Sequence, residues 1–203
     1  GTWVTTFWSG IVDETVLVHE QGFTGPLRDL LGIRSEEMDV LYPDERCPIQ
    51  PQPGVSWIRG EHAARDFCDL IHVDDADVLA TYAGEFYEGR PALTVARRGK
   101  GRAYYLAFRA QQPWLDQMYA QLLEEQGVQP LIDHLPEGVT AQVRGDENST
   151  FLFLLNFTRD EHRIDLPPGV WRNLLTDEEA TGGIALTGYD SAALSPHAKF
   201  LNP

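Results

Sequence analysis

Cysteine is scarce in this sequence, which has only Cys47 and Cys68 among its 203 residues. Two cysteines are too few for a disulfide framework, and their spacing is not that of a structural zinc site. The six histidines are dispersed, without a His-x-x-x-His pair: His19, His62, His72, His134, His162 and His197. We therefore predict no metal site and no cofactor site, and a reducing compartment, the cytoplasm.

Basic residues are also few, with 16 Lys and Arg against 31 Asp and Glu, so the formal net charge is -15. A chain this acidic repels phosphate backbones, and no local stripe of Lys and Arg offsets the repulsion. Apolar runs stay well short of the roughly 20 residues that cross a bilayer. Nucleic acid and membrane are therefore not expected as partners.

The chain begins with Gly1 rather than methionine, and its first residues already have the pattern of a buried strand. Residues 2–8 (TWVTTFW) are β-branched and aromatic, which is typical of a strand of a parallel sheet, buried on both faces. We therefore expect these residues to be a piece of a longer protein. A loop should follow over residues 13–22, and residues 25–32 (GPLRDLLG) predict a short helix.

Prolines make the next stretch irregular: Pro43, Pro48, Pro51 and Pro53 predict a surface loop or arm without a core face of its own. Residues 78–82 predict a strand. Residues 91–108 then predict a β-hairpin, because two β-branched and aromatic runs flank the short basic turn RGKG.

The clearest helix begins at Pro113 and ends at Gly127. Its apolar residues recur at helical spacing, and we expect them to pack on the sheet: Trp114, Leu115, Met118, Tyr119, Leu122 and Leu123.

After Pro130 the pattern changes to short strand-like runs separated by turns, with no helix. The runs are residues 139–143, 150–157, 162–166, 170–175 and 191–194, and one of the turns is Gly182-Gly183. This spacing predicts a small antiparallel sandwich or barrel. The boundary between the two parts should fall between Pro130 and Gly138.

Seven segments stand in a characteristic order and spacing: residues 7–14, 25–32, 64–69, 86–92, 98–101, 151–157 and 165–169. Together they resemble the C-terminal part of bacterial β-galactosidases of glycoside hydrolase family 42. The resemblance implies a catalytic (β/α)₈ barrel, then a trimerisation domain with a flavodoxin-like or amidotransferase-like α/β fold, then a small β domain. Residues 1–133 would be the later portion of the trimerisation domain, truncated at its N-terminus, and residues 136–203 the C-terminal β-sandwich-like domain.

The resemblance also implies the chemistry of the parent, which would release terminal non-reducing β-D-galactose with retention of configuration. That chemistry needs two glutamates about 5 Å apart, and both belong to the barrel. We assign no catalytic, cofactor-binding or metal-binding residue to this chain. We interpret its glutamates as solvated surface groups: Glu14, Glu36, Glu37, Glu61 and Glu85.

An amidotransferase-like fold raises a second hypothesis, a cysteine-dependent acyl-transfer enzyme. The place of the nucleophile after the first strand is taken by Trp8, which cannot attack a carbonyl, and Ser9 lacks the leading glycine of a nucleophile elbow. Cys68 and His72 would meet in a helix but lie about 13 Å apart on one face of a strand. We favour a structural cysteine.

A free-standing sugar-binding or assembly module is the alternative function, with Trp57 and Trp171 as residues that could stack on sugar rings. Core packing is favoured for Trp171.

We predict that the protein forms a homotrimer through its α/β domain. Six aromatic residues are available for such an interface: Trp3, Phe7, Trp8, Trp57, Phe86 and Tyr87. The proline-rich arm, residues 43–53, is either a strap across this contact or a plain surface loop.

Overall fold

The computed structural model describes residues 1–20, 22–146 and 149–196, so His197 and the tail after it lie outside the described residues. The chain divides into two compact units, Gly1–Val128 and Gln129–Pro203. Each is built mainly from strands. Among the described residues, no helix is long and apolar enough to cross a bilayer.

The first unit contains one sheet and two helices. Its strands are β1 (Thr2–Thr6), β2 (Ile33–Val40), β3 (Cys47–Pro51), β4 (His62–Val73), β5 (Asp77–Tyr82), β6 (Pro91–Arg98), β7 (Gly101–Leu106) and β8 (Phe108–Arg109). A 3-10 turn, Gly25–Leu27, leads into the short helix α1 (Arg28–Leu31), and α2 spans Gln112–Glu125.

The strand order in the sheet is β1-β7-β6-β5-β3-β4-β2, with β8 paired to β4. β1 and β7 run parallel, from Thr2 opposite Arg102 to Thr6 opposite Leu106. The other strand pairs are antiparallel. β1 is therefore an edge strand that pairs with a segment about 100 residues later in the chain.

Both faces of this sheet carry apolar residues, and β7 shows the alternation. Tyr104 and Leu106 belong to a large core that α2 covers with Trp114, Met118 and Leu122. Ala103 and Tyr105 point to the other face, where they join a smaller cluster with Leu31, Ile33, Ile71 and Ala107. Leu27 of the 3-10 turn and Leu30 of α1 pack against this second cluster.

The local predictions in this unit are confirmed. β6 and β7 form the expected hairpin, in register from Leu93 opposite Leu106 to Arg98 opposite Gly101. α2 buries its apolar stripe, and Gly127 follows it with φ 64°, the left-handed conformation typical of a helix C-terminus. Gly32 ends α1 in the same way.

Two predictions that depend on tertiary context differ from the structure, and a third is not confirmed. β1 is not buried on both faces, because Trp3 is half exposed and the other residues of the strand are only partly buried. The proline-rich arm is not wholly irregular: Cys47–Pro51 forms β3, which pairs with β4 and β5 and buries Cys47 and Ile49. The α/β flavodoxin-like class is not confirmed, since the sheet has one parallel pair and is otherwise antiparallel.

The second unit is one antiparallel sheet in the order β12-β11-β13-β10-β9. Its strands are β9 (Val139–Gly145), β10 (Thr150–Asn156), β11 (His162–Asn173), β12 (Glu179–Leu186) and β13 (Ser191–Pro196). The expected all-β class is confirmed, but the described residues form a single five-stranded sheet. Gly182-Gly183 lies inside β12 rather than in a turn, so this strand was missed.

The core of the second unit gathers around Trp171, which is buried with Leu152, Leu154 and Leu194. The Trp171 indole N–H donates to the carbonyl of Pro167 at 2.9 Å. The pairing of β11 with β12 is irregular between Asp165 and Val170, where Pro167 and Pro168 lie. The predicted core packing of Trp171 is confirmed.

Candidate functional site

The turn that follows β1, residues 7–10, has an unusual backbone conformation. The Phe7 N–H still donates to the Leu106 carbonyl at 2.9 Å, so pairing with β7 continues to this residue. Trp8 then adopts φ 64° and Gly10 φ 66°, both left-handed. A β-carbon on Gly10 would lie 2.5 Å from the carbonyl oxygen of Thr24, so only glycine fits there.

Hydroxyl groups fix this turn. The Ser9 hydroxyl donates to the carbonyl of Thr6 at 2.7 Å, and it also lies 2.7 Å from the Thr5 hydroxyl. Both hydrogen bonds are local and partly shielded from water. Ser9 is therefore engaged in holding the turn, and the hydrogen-bond partners of its hydroxyl are Thr5 and Thr6 rather than a histidine that would activate it as a nucleophile.

A buried carboxylate lies beneath the turn. Asp69 on β4 is 2% exposed and accepts a hydrogen bond from the Tyr105 hydroxyl on β7. Burial raises the pKa of Asp69 to about 6, although the hydrogen bonds from Tyr105 and from the backbone N–H of Trp8 act in the opposite direction. Asp69 thus connects β4, β7 and the backbone of the turn.

Aromatic rings continue from the turn onto β4. The Trp8 indole lies 5.1 Å from the ring of Phe67, and Phe7 stacks on the same ring at 5.5 Å. Trp8 is 56% exposed even though its neighbours pack against it. A large apolar side chain held outward by a fixed turn is the feature expected of a contact surface rather than of a core.

Sequence reasoning did not identify Asp69. The available signal was an acidic residue inside the otherwise apolar segment FCDLI of β4. Its partners Tyr105 and Trp8 are distant in sequence, so the pattern could not show what the carboxylate contacts.

The cysteine-dependent enzyme hypothesis does not fit the geometry. Cys68 lies in strand β4 and is completely buried, and both cysteines are free thiols. The neighbouring Cys47 thiol and burial together raise the pKa of Cys68, which opposes formation of the nucleophilic thiolate. His72 instead contacts Glu36 through its Nε2 atom, so the helical alternative for Cys68 and His72 is wrong.

The glutamates singled out from the sequence lie at the surface, and all five are exposed. Glu36 is held by His72 and Arg90, and these hydrogen bonds lower its pKa. Among the described residues, no group of three or more His, Cys, Asp and Glu side chains could hold a metal ion.

The candidate interface and sugar-stacking aromatics fall into two groups. Trp8, Trp3 and Phe86 are exposed. Tyr87 is buried, and its hydroxyl donates to Asp39 at 2.9 Å. Trp57 is half buried against Trp114, with the ring centres 6.3 Å apart, which leaves it a poor platform for a sugar ring.

Two protein-family models match the chain. Residues 1–129 match the family described as the β-galactosidase trimerisation domain, and residues 138–195 match the β-galactosidase C-terminal domain.

Individual relatives agree with these matches. The chain is 42% identical to β-galactosidase Pbg of Clostridium perfringens over 93% of its length, and 38% identical to β-galactosidase BglY of Alicyclobacillus acidocaldarius over 98%. A crystal structure of β-galactosidase from Bacillus circulans sp. alkalophilus superposes with a TM-score of 0.87 at 36% identity, over 97% of this chain and 29% of that one. The chain spans 28% and 29% of the two curated relatives.

Proposed function

This chain belongs to the β-galactosidases of glycoside hydrolase family 42, and we propose that it is the non-catalytic oligomerisation and C-terminal region of such an enzyme. The match of residues 1–129 to the trimerisation-domain model carries the proposal. Its short span relative to the relatives supports a catalytic (β/α)₈ barrel that is not part of these 203 residues.

We propose that the parent enzyme hydrolyses terminal non-reducing β-D-galactose residues with a retaining mechanism. Relatives from Clostridium perfringens, Alicyclobacillus acidocaldarius and Planococcus sp. are β-galactosidases, which supports this activity. Retaining hydrolysis needs an acid/base carboxyl group and a nucleophilic carboxylate about 5 Å apart. The five glutamates singled out above are exposed, and we assign the catalytic residues to the barrel.

We place the boundary between the two domains at residues 134–135, with the trimerisation domain over residues 1–133 and the C-terminal β domain over residues 136–203. We also propose that the first unit is the later portion of a flavodoxin-like domain. The parallel pairing of β1 with β7 supports this assignment, because parallel pairs are the signature of doubly wound sheets.

We further propose that the protein works in the cytoplasm as a homotrimer joined through the first unit. The two cysteines support a reducing compartment because both are free. The family description supports the trimer, and the exposed aromatic residues of the first unit supply apolar surface for it.

A trimer should be measurable with this chain. Multi-angle light scattering during gel filtration is expected to give a mass three times the 22.8 kDa of one chain at micromolar concentration. The physical reason is the exposed apolar surface of the first unit, which a closed three-fold ring would bury. A single species at the mass of one chain, unchanged up to 100 micromolar (roughly the upper range for weak complexes), would contradict the homotrimer.

No turnover is expected when this chain is incubated with a chromogenic β-galactoside. The reason is that both catalytic carboxyl groups are assigned to the barrel, which is not part of these 203 residues. A curated relative such as the Clostridium perfringens enzyme serves as the positive control. The opposite result would be a hydrolytic activity that stays with the chain through purification. If replacing one exposed glutamate with glutamine abolished that activity, a catalytic site would be present in this chain.

A further inference from the structure

The two cysteines lie together in the core of the first unit. Both side chains are completely buried, and both belong to the same apolar cluster. The Cys68 thiol is hydrogen-bonded to the sulfur of Cys47. Because residues of this chain bury both thiols fully, their contact needs no further covering segment and no partner.

An irregular part of β4 separates Cys68 from the residue opposite Cys47. Cys47 is opposite Ala64 in the β3–β4 register, and Cys68 lies four residues further along β4. A regular strand would place these two positions of β4 about 13 Å apart. Asp66 instead adopts φ 61°, and the β4–β8 register is irregular between Arg65 and Cys68. A bulge bends its strand and re-aims its side chains, which accounts for the contact between the two sulfur atoms.

Polar groups from two further segments surround the pair. The sulfur of Cys47 lies 3.6 Å from the carbonyl oxygen of Gly84, within hydrogen-bond distance for a thiol donor. The Tyr87 hydroxyl donates to Asp39 at 2.9 Å and also contacts Cys68, and Asp39 is opposite Cys68 in the β2–β4 register. The proposed function gives no role to this buried cluster of two thiols, a phenol and a carboxylate.

The two thiols differ in reactivity. The hydrogen bond from Cys68 stabilises the thiolate of Cys47 and lowers the pKa of Cys47, although burial acts in the opposite direction. The same hydrogen bond, together with burial, raises the pKa of Cys68. Since the thiolate is the nucleophile in thiol chemistry, Cys47 is the residue that reacts first with an oxidant and Cys68 the residue that resolves the product.

We propose that Cys47 and Cys68 form a reversible disulfide when the protein is exposed to hydrogen peroxide, and that this bond locks β3 to β4. The Cys47 thiolate attacks one peroxide oxygen, the O–O bond breaks, and the hydroxide that leaves takes up a proton, which gives a sulfenic acid and water. The Cys68 thiol then displaces the sulfenic oxygen, so that the S–S bond forms and a second water is released. Overall, two thiols and one hydrogen peroxide give one disulfide and two waters, with two electrons passing from sulfur to oxygen.

The disulfide acts as a redox-sensitive lock on the first unit. It closes the loop from Cys47 to Cys68, which restricts the unfolded chain and so favours the folded one. A reducing compartment keeps both thiols free in the resting state, and small thiols reverse the reaction by exchange. The inference goes beyond the proposed function and does not depend on the trimer or on the catalytic barrel.

Equilibrium with glutathione tests whether the fold favours this bond. The native chain is incubated with mixtures of reduced and oxidised glutathione, once in native buffer and once in concentrated guanidinium chloride. Intact-mass spectrometry after alkylation gives the fraction of chains that have lost two hydrogen atoms and hold no free thiol. We expect the equilibrium constant for disulfide formation to be at least about tenfold larger in the folded chain. By linkage, oxidation should lower the unfolding equilibrium constant of the first unit by the same factor.

Single variants test the order of the two steps. In Cys68→Ser the serine hydroxyl still donates to Cys47, so peroxide should produce a sulfenic acid on Cys47 that dimedone traps. Cys47→Ser is the matched variant with the same substitution and one remaining thiol. We expect its Cys68 to be labelled by dimedone at least about tenfold more slowly, because this thiol is the less ionised one.

The comparison with glutathione is decisive even if a serine variant does not fold, because it uses only the native chain. An equilibrium constant in the folded chain equal to or below that of the denatured chain would overturn the lock. Peroxide treatment that yields only disulfides between chains, or separate oxidation of each cysteine, would also overturn it. Equal dimedone labelling of two folded variants would overturn the assignment of Cys47 as the first residue to react.

Discussion

Replacing Trp114 with alanine is expected to lower the free energy of unfolding of the first unit by about 3–5 kcal/mol, the usual cost of removing a buried tryptophan. Trp114 is almost completely buried where α2 meets the sheet. Its ring centre lies 5.2 Å from Phe108, 5.1 Å from His62 and 6.3 Å from Trp57. Truncation to alanine would leave a cavity among these three rings, because the surrounding core relaxes only partly around a removed side chain.

Two controls define this result. Trp114→Phe should cost much less, because it keeps an aromatic ring and because the indole N–H of Trp114 has no hydrogen-bond partner among the described residues. Tyr119→Ala, on the exposed face of α2, should stay within about 0.5 kcal/mol of the native chain. Hydrogen exchange of peptides from residues 1–128 in increasing urea measures this unit separately from the second. A loss below about 1 kcal/mol for the alanine variant would show that α2 does not depend on this residue.

The second large effect concerns pH. Burial raises the pKa of Asp69 to about 6 from its ordinary 3.8. Between pH 3.8 and about pH 6, Asp69 is therefore protonated in the folded state but ionised in the unfolded state. The Asp69 contribution to stability is therefore fully present below pH 4 and is lost as pH rises through about 6. Between pH 5 and pH 7.5 we expect a loss of about 1.4 kcal/mol from this group.

Asp69→Asn isolates this contribution, because the amide has nearly the same shape and does not titrate. The other groups that face Asp69 are the hydroxyls of Tyr105 and Tyr82, and burial raises the pKa of both, so they remain neutral over this range. Urea denaturation of both chains at pH 5 and pH 7.5 gives the difference. If the two chains lose or gain stability in parallel between these pH values, Asp69 does not titrate near 6.

The local parts of the fold could be predicted from the sequence. The β6–β7 hairpin and helix α2 are set by patterns within a few residues of each other, namely a glycine-rich turn and an apolar stripe with helical period. The same holds for α1, whose last residue precedes Gly32.

The elements that were missed depend on neighbours distant in sequence. β3 contains Pro48 and Pro51, which favour a loop, yet Cys47 and Ile49 alternate into the core and β4 and β5 pair with its two edges. β12 contains Gly182-Gly183, which read as a turn because glycine is rare in strands. Tertiary pairing outweighed the local preference in both strands.

The candidate site followed the same division. The sequence alone drew attention to Trp8, because it stands where a related fold would place a nucleophile. The sequence could not show that the backbone of Trp8 is left-handed or that its side chain is exposed. It also could not show that Asp69, held by Tyr105, interacts with the Trp8 backbone N–H, because these residues are far apart in the sequence.

The pairing of β1 with β7 has a consequence for the order in which the protein is made. Residues 2–6 are synthesised before their only strand partner among the described residues, Gly101–Leu106, which emerges about 100 residues later. Closing so long a loop is entropically costly and slow, whereas the β6–β7 hairpin closes at once. Residues 2–6 therefore lack their β7 partner until the β6–β7 hairpin has been made, so we expect β1 to join this edge of the hairpin after the hairpin has closed.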